Sequence, residues 1–170
     1  SSPAYQADLA KGFHCPEDIV RIYPLPRVDI LTDASYKQEM RKKLYQRYPI
    51  LKEKQVILYV PTFRKKETMM QTYVDKLCDA LYDDQILVVK RHPLSKLTIH
   101  NPHVLVDTSF TSFDMLFVAD AVISDYSCII YEAALLNIPL YFYNFDMQNY
   151  TGKRGLAIDY ENELPGVISK

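Results

Sequence analysis

Polar clusters follow three apolar, strand-like runs: Pro61-Thr62-Phe63-Arg64, Arg91-His92-Pro93 and Ser124-Asp125-Tyr126-Ser127. These are the residue types of phosphate handling. A guanidinium fork grips phosphate oxygens in pairs. An imidazole beside cations suits proton transfer or phosphate contact. A serine just ahead of a helix offers a hydroxyl, nearby amides and a favourable dipole. Any one cluster alone is a weak signal. Parallel strands, however, end on one edge of their sheet, so the clusters are expected to converge.

The candidate residues are therefore Arg64, Arg91, His92, Ser124, Asp125 and Ser127. Glu132 joins them because a carboxylate in an otherwise apolar helix suggests a polar ligand or partner. Arg154, ahead of Gly155, is a loop cation able to reach the same edge. Each has an ordinary alternative. Ser127 or Asp125 would simply cap the following helix. His92 would bond to loop backbone. Glu132 would sit at an exposed helix position. His14, His100 and His103 lie in irregular polar stretches and receive no role.

The elements that must position these groups read clearly. Ala119 to Asp146 is strand, polar turn, helix and strand: an apolar run to Ile123, a helix over Ile129–Leu136 closed by Asn137, then Pro139–Tyr143. Upstream strands are expected at Gln55–Val60, Ile86–Lys90 and Val104–Asp107. Helices are expected at Ser2–Lys11 with Gly12 as its stop, at Lys37–Tyr48, at Thr72–Leu81, and at Ser112–Ala119 with Ser112 as N-cap. Short strands are expected at Asp18–Ile22 and Leu156–Tyr160. Pro24, Pro26 and Asp29 read as a stiff connector. Continuous apolar strands alternating with helices predict an α/β, Rossmann-like parallel sheet with helices on both faces.

Bulk properties narrow the classes. The 170 residues suit one domain, and 48% are hydrophobic, enough for a core. The net charge of −1 implies no nucleic-acid surface. Cys15, Cys78 and Cys128 are too scattered for a zinc site or disulfide framework, so reduced thiols are the default. No apolar run approaches a membrane span and no signal peptide is visible. With 4 glycines and no Gly-rich motif, phosphate must be held by hydroxyls, helix N-termini, Arg, Lys or His. Starting at Ser1 without Met, the chain reads as a fragment.

Taken together, VILYVPTFR (56–64), RHP (91–93), ADAVISDYSCIIYEAALLNIPLYFYNFD (119–146) and RGLAIDYENELPG (154–166) resemble the CDP-glycerol glycerophosphotransferases of teichoic acid synthesis. LPRVDIL (25–31) is similar to that family's connector into its second domain. The resemblance implies one half of a GT-B fold: residues 1–30 as linker and end of the preceding domain, 31–170 as the nucleotide-donor domain. It implies transfer of glycerol or ribitol phosphate from a CDP-linked donor to a hydroxyl of a polymer or lipid-linked primer, releasing CMP, with no cofactor or bound metal. His92 would be the catalytic or phosphate-contacting histidine. Asp125 and Ser127 would border the pyrophosphate, with Ser124 and Arg91 in the same clusters. Arg64 and Arg154 would contact the anionic donor, and Glu132 would lie toward the ribose or base. A second histidine and the acceptor site would come from a missing N-terminal domain. The full-length protein would sit in the cytoplasm against the inner face of the membrane, with oligomerisation possible. Lys65 stands where the family often has an acid, and Cys128 where it has a second serine.

Two other classes stay open from the residues. One is a GT-B nucleotide-sugar glycosyltransferase for capsule or cell-surface polysaccharide. The other is a non-catalytic nucleotide- or partner-binding α/β module. The latter, if receiver-like, would want paired acids after the first strand, where this chain has neutral and basic residues.

Overall fold

A computed structural model describes residues 3–64, 68–92, 94–154, 160, 164 and 167–169, with side chains at all of these except 68–69, 153–154 and 167–169. The strands are β1 (Gln55–Val60), β2 (Gln85–Val89), β3 (Val104–Val106), β4 (Ala121–Ser124), β5 (Leu140–Tyr143) and β6 (Val167–Ser169). They form one sheet of 6 strands in the order β3-β2-β1-β4-β5-β6, and every pairing is parallel. This is the doubly wound Rossmann order, whose winding reverses between β1 and β4.

The helices are α1 (Gln6–Phe13), α2 (Asp29–Thr32), α3 (Ala34–Arg47), α4 (Thr68–Asp79), α5 (Ser112–Leu116), α6 (Ile129–Leu135) and α7 (Met147–Arg154). Strand alternation sends side chains to two faces. From β1, Val56, Leu58 and Val60 enter a core with Leu44 of α3, Met115 and Leu116 of α5, and Ile129 and Ala133 of α6. Tyr59, between them, enters the opposite core with Met70, Val74 and Cys78 of α4. Both faces of the sheet are therefore covered, as the continuous apolar runs required.

Several local expectations are corrected. Asp18–Ile22 is no strand; Glu17–Ile19 is a single 3₁₀ turn. The Gln6 side chain donates to the Glu17 and Val20 carbonyls at 3.1 and 2.9 Å, in place of a strand ladder. Gly12 does not stop α1; the helix runs to Phe13 and His14 takes the left-handed conformation at φ 54°. Thr111, not Ser112, caps α5. Its hydroxyl accepts from the Asp114 amide, and the Asp114 carboxylate accepts from the Thr111 amide. Helix α4 starts at Thr68, ahead of the expected Thr72. Helix α7 and strand β6 had no forecast. The strand expected at Leu156–Tyr160 falls outside the described residues except for Tyr160. The expected closure of α6 is present: Asn137 has φ 55°, and the Ile138 amide donates to Ala133 O at 3.0 Å.

Register delivers the polar clusters to one edge. Val60 pairs with Ser124, Ser124 with Phe142, and Tyr59 with Val89. The chain thus leaves β1, β4, β5 and β2 at nearly the same level. Pro61, with no amide hydrogen to offer the ladder, ends β1.

Candidate active site

At the reversal point, Asp125 is buried, only 1% exposed, and its carboxylate is turned back onto the end of β1. It accepts from the Thr62 amide at 2.9 and 3.1 Å and the Thr62 hydroxyl at 2.6 Å. It also accepts from the Tyr126 amide at 2.6 Å and Arg64 Nη2 at 2.9 Å. Neither Asp125 nor Ser127 caps α6 by its side chain; the N-cap position is Cys128, with no side-chain hydrogen bond.

Arg64 completes the cluster. Its Nε and Nη2 donate to the two oxygens of Asp146 at 2.8 and 3.0 Å. Nη1 donates to Thr62 O at 2.6 Å. The guanidinium lies 5.3 Å from the Tyr126 ring and 5.1 Å from that of Tyr150. These rings stack on each other at 3.9 Å. Burial works against the Arg64 charge, but the bonds and charges of Asp146 and Asp125 outweigh it and raise its pKa. The same burial, reinforced by the Asp146 charge, raises the Tyr126 phenol. Arg64 is thus an internal clamp, joining the ends of β1, β4 and β5 through charge-assisted forks.

His92 stands over this edge on the β2 side. Its ring lies 5.0 Å from that of Phe63, tilted by 34°. Nδ1 accepts from the Leu94 amide at 3.2 Å, and the residue is exposed. The two cations before it turn inward. Lys90 Nζ donates to Asp107 Oδ2 at 2.5 Å, to Asp107 O at 3.2 Å and to Phe110 O. Arg91 Nη1 donates to Leu97 O, and its Nε is buried without a hydrogen-bond partner among the described residues. Asp107 also accepts from Tyr48 OH at 2.7 Å and from the Ser109 and Phe110 amides at 3.0 and 3.1 Å. Burial alone would raise the Asp107 pKa, but Lys90, Tyr48 and these amides hold it below the usual value.

The remaining candidates differ in place. Ser124 is fully buried, and its hydroxyl donates to Val60 O at 2.8 Å across the strand pair. Ser127 is half-buried at the same edge as Asp125. Glu132 is 3% exposed; its Oε1 meets Arg27 Nη2 at 2.8 Å, while its Oε2 is buried without a hydrogen-bond partner among the described residues. Arg27 comes from the connector, and its guanidinium also lies 5.2 Å from the Phe113 ring. Arg154 is the last residue of α7; its side chain lies outside the described residues.

The structure therefore brings together Arg64, Asp125, Ser127 and His92 along one edge, and directs Ser124 and Arg91 into the body of the fold. Sequence reasoning missed Asp146 and gave Thr62, Phe63 and Tyr126 no individual role within their clusters. Asp146 carried a readable signal: it is an acid just past an apolar strand, as Asp125 is.

Comparison with known proteins bears on the family and the fold. The family described as CDP-glycerol:poly(glycerophosphate) glycerophosphotransferase matches residues 1–170. A teichoic acid poly(ribitol-phosphate) polymerase of Bacillus spizizenii is 34% identical, over 100% of this chain and 29% of the relative. A teichoic acid glycerol-phosphate primase of Bacillus subtilis is 35% identical, over 80% of this chain and 37% of its own length. The chain spans less than half the length of these relatives. Among solved structures, the wall teichoic acid polymerase TagF aligns with a TM-score of 0.78 at 24% identity, over 96% of this chain and 43% of that one. A variant of it soaked with CDPG aligns with a TM-score of 0.75 at 24% identity, over 96% of this chain and 42% of that one. The likeness to both establishes the shared GT-B-type fold.

Proposed function

The chain belongs to the CDP-glycerol:poly(glycerophosphate) glycerophosphotransferase family, and from that premise we propose that it is the donor-binding half of an alditol-phosphate transferase. Residues 1–30 are the linker and the end of the preceding domain, and 31–170 the donor domain. Its substrate is CDP-glycerol or CDP-ribitol. The acceptor is a hydroxyl of a teichoic-acid-like polymer or lipid-linked primer, and CMP leaves.

One observation carries this reading: exposed His92 and half-buried Ser127 stand at the carboxyl edge of the sheet around the β1–β4 reversal, where doubly wound folds hold nucleotides. The reaction forms a bond from the acceptor oxygen to the alditol-bearing phosphorus. It breaks that phosphorus's bond to the oxygen bridging to CMP, and the electron pair leaves with CMP. Catalysis therefore needs donors aimed at the leaving phosphate. His92 and the Ser127 hydroxyl supply them, with Arg154 as a further cation from the end of α7. Arg64, Asp125 and Asp146 set the height of the loops that carry these groups. Glu132 lies toward the nucleoside. The base that takes the acceptor proton comes from another part of the full-length protein.

The whole protein works against the inner face of the membrane, where a lipid-linked acceptor is presented. Among the described residues no helix is long and apolar enough to cross a membrane.

An amide NMR titration of this chain with CMP, CDP-glycerol and UDP tests the donor site. Saturable shifts near His92, Ser127 and Glu132 with cytidine ligands, and none with UDP, are expected. Shifts with UDP alone would replace this reading with a nucleotide-sugar glycosyltransferase.

A further inference from the structure

Resting on the reading of His92 as the group that faces the donor phosphates, we propose that Phe63 is a positioning residue. With the Leu94 amide, it holds the His92 imidazole as the Nε2–H tautomer. His92 then acts as a hydrogen-bond donor to the leaving nucleotide and not as the base for the acceptor.

A neutral imidazole carries one N–H, and the bond made by one nitrogen decides the role of the other. Here the Leu94 amide donates to Nδ1 at 3.2 Å, so Nδ1 is the acceptor and the hydrogen resides on Nε2. A neutral ring in that state cannot accept an acceptor's proton at Nε2. It can donate to the oxygen on which the electron pair of the broken phosphorus–oxygen bond collects.

The tautomer is useful only if the ring is aimed, and His92 is an exposed residue on a loop. Among the described residues its aromatic contact is Phe63, with centroids 5.0 Å apart. Phe63 is itself held from both sides along the chain. Thr62 is tied by amide and hydroxyl to Asp125, and Arg64 is tied to Asp125 and Asp146. The platform beneath His92 is thus anchored to the buried Asp125 carboxylate after β4 and the half-buried Asp146 carboxylate after β5. A backbone shift at Phe63 would have to break that network. This explains why a lone aromatic between two polar, half-buried neighbours lies half-buried at the sheet edge: its ring is the surface on which the histidine rests.

The test uses the full-length protein labelled with ¹⁵N-histidine. Two-bond proton–nitrogen correlation spectra read the tautomer of His92 directly, assigned by its loss in His92→Ala. The expected wild-type pattern is Nε2–H. Phe63→Leu is expected to mix the tautomers and to lower kcat by roughly ten- to a hundredfold, the scale of an ångström-level misplacement, with donor KM little changed. Phe63→Tyr keeps the ring and is expected to restore both. Leu94→Pro removes the amide hydrogen at an exposed position and is expected to release Nδ1, so the proposal stays testable if Phe63→Leu misfolds. An Nδ1–H pattern in the wild type, or unchanged tautomer and kcat in Phe63→Leu, overturns it. Wild-type turnover in His92→Ala would instead remove the underlying reading of His92, whatever its tautomer.

Discussion

Arg64 and Asp125 meet at 2.9 Å although they lie 61 positions apart in the chain. One follows β1 and the other follows β4, the two strands between which the winding of the sheet reverses. Their ion pair fastens that reversal point shut at its carboxyl edge. A second carboxylate, Asp146 after β5, grips the same guanidinium. The edge that would face a nucleotide is therefore rigid before any ligand arrives, which lowers the ordering cost of binding.

Arg64→Ala is expected to destabilise the chain by about 3–5 kcal/mol, the cost of stranding buried carboxylates. Arg64 is only 11% exposed, so solvent cannot take its place. Chemical denaturation measures the loss. The double variant with Asp146→Asn should lose less than the sum of the single changes, because the two residues share one network. Strict additivity would mean that the clamp contributes little.

His92→Ala in the full-length enzyme is expected to lower turnover at least about a hundredfold, on the scale of lost proton or hydrogen-bond donation in the transition state. The side chain is exposed and its loss should leave the denaturation midpoint nearly unchanged. Steady-state assays with CDP-glycerol and CDP-ribitol read this. Near-normal rates would make His92 structural.

Acid stability should report on Asp107. Its pKa is held below the ordinary value in the folded chain, with Lys90 as the leading stabilising partner against burial. A carboxylate depressed by folding contributes stability that is fully present above its unfolded value, about 3.9, and is lost as pH falls through the folded value. Asp107→Asn should therefore flatten the loss of stability below about pH 4, while lowering stability at neutral pH. Denaturation midpoints between acid and neutral pH decide the matter; parallel curves would remove Asp107 as a source.

Glu132→Gln separates a structural from a ligand role. Arg27, its partner, is 53% exposed and can return to water, so little stability should be lost. Oε2 has no hydrogen-bond partner among the described residues, which leaves the carboxylate able to accept from a sugar hydroxyl. The donor KM should rise about ten- to a hundredfold, equivalent to one hydrogen bond to a charged group, with kcat nearly unchanged. An unchanged KM would assign Glu132 to the connector alone.

Much of this was legible in the sequence for physical reasons. QVILYV at 55–60 is a strand because its apolar residues have no helical period and Pro61 ends it. The polar clusters at 61–64, 91–92 and 124–127 share an edge because the strands they follow run parallel in one sheet. The combination of those motifs carried the family. What one dimension could not contain was the partner of each charge. Arg64 reads as a cation free for phosphate, yet folding spends it on Asp125 and Asp146. Lys90 and Arg91 read like His92 beside them, yet both are turned inward. Thr111 displaced Ser112 as a cap because Asp114, three residues on, reciprocated. Composition and periodicity set which elements form and where they end, since those follow from local backbone and burial preferences. Which ionic groups are consumed inside and which remain for a ligand was decided only when strands distant in sequence came into register, because a charge seeks its nearest partner in space.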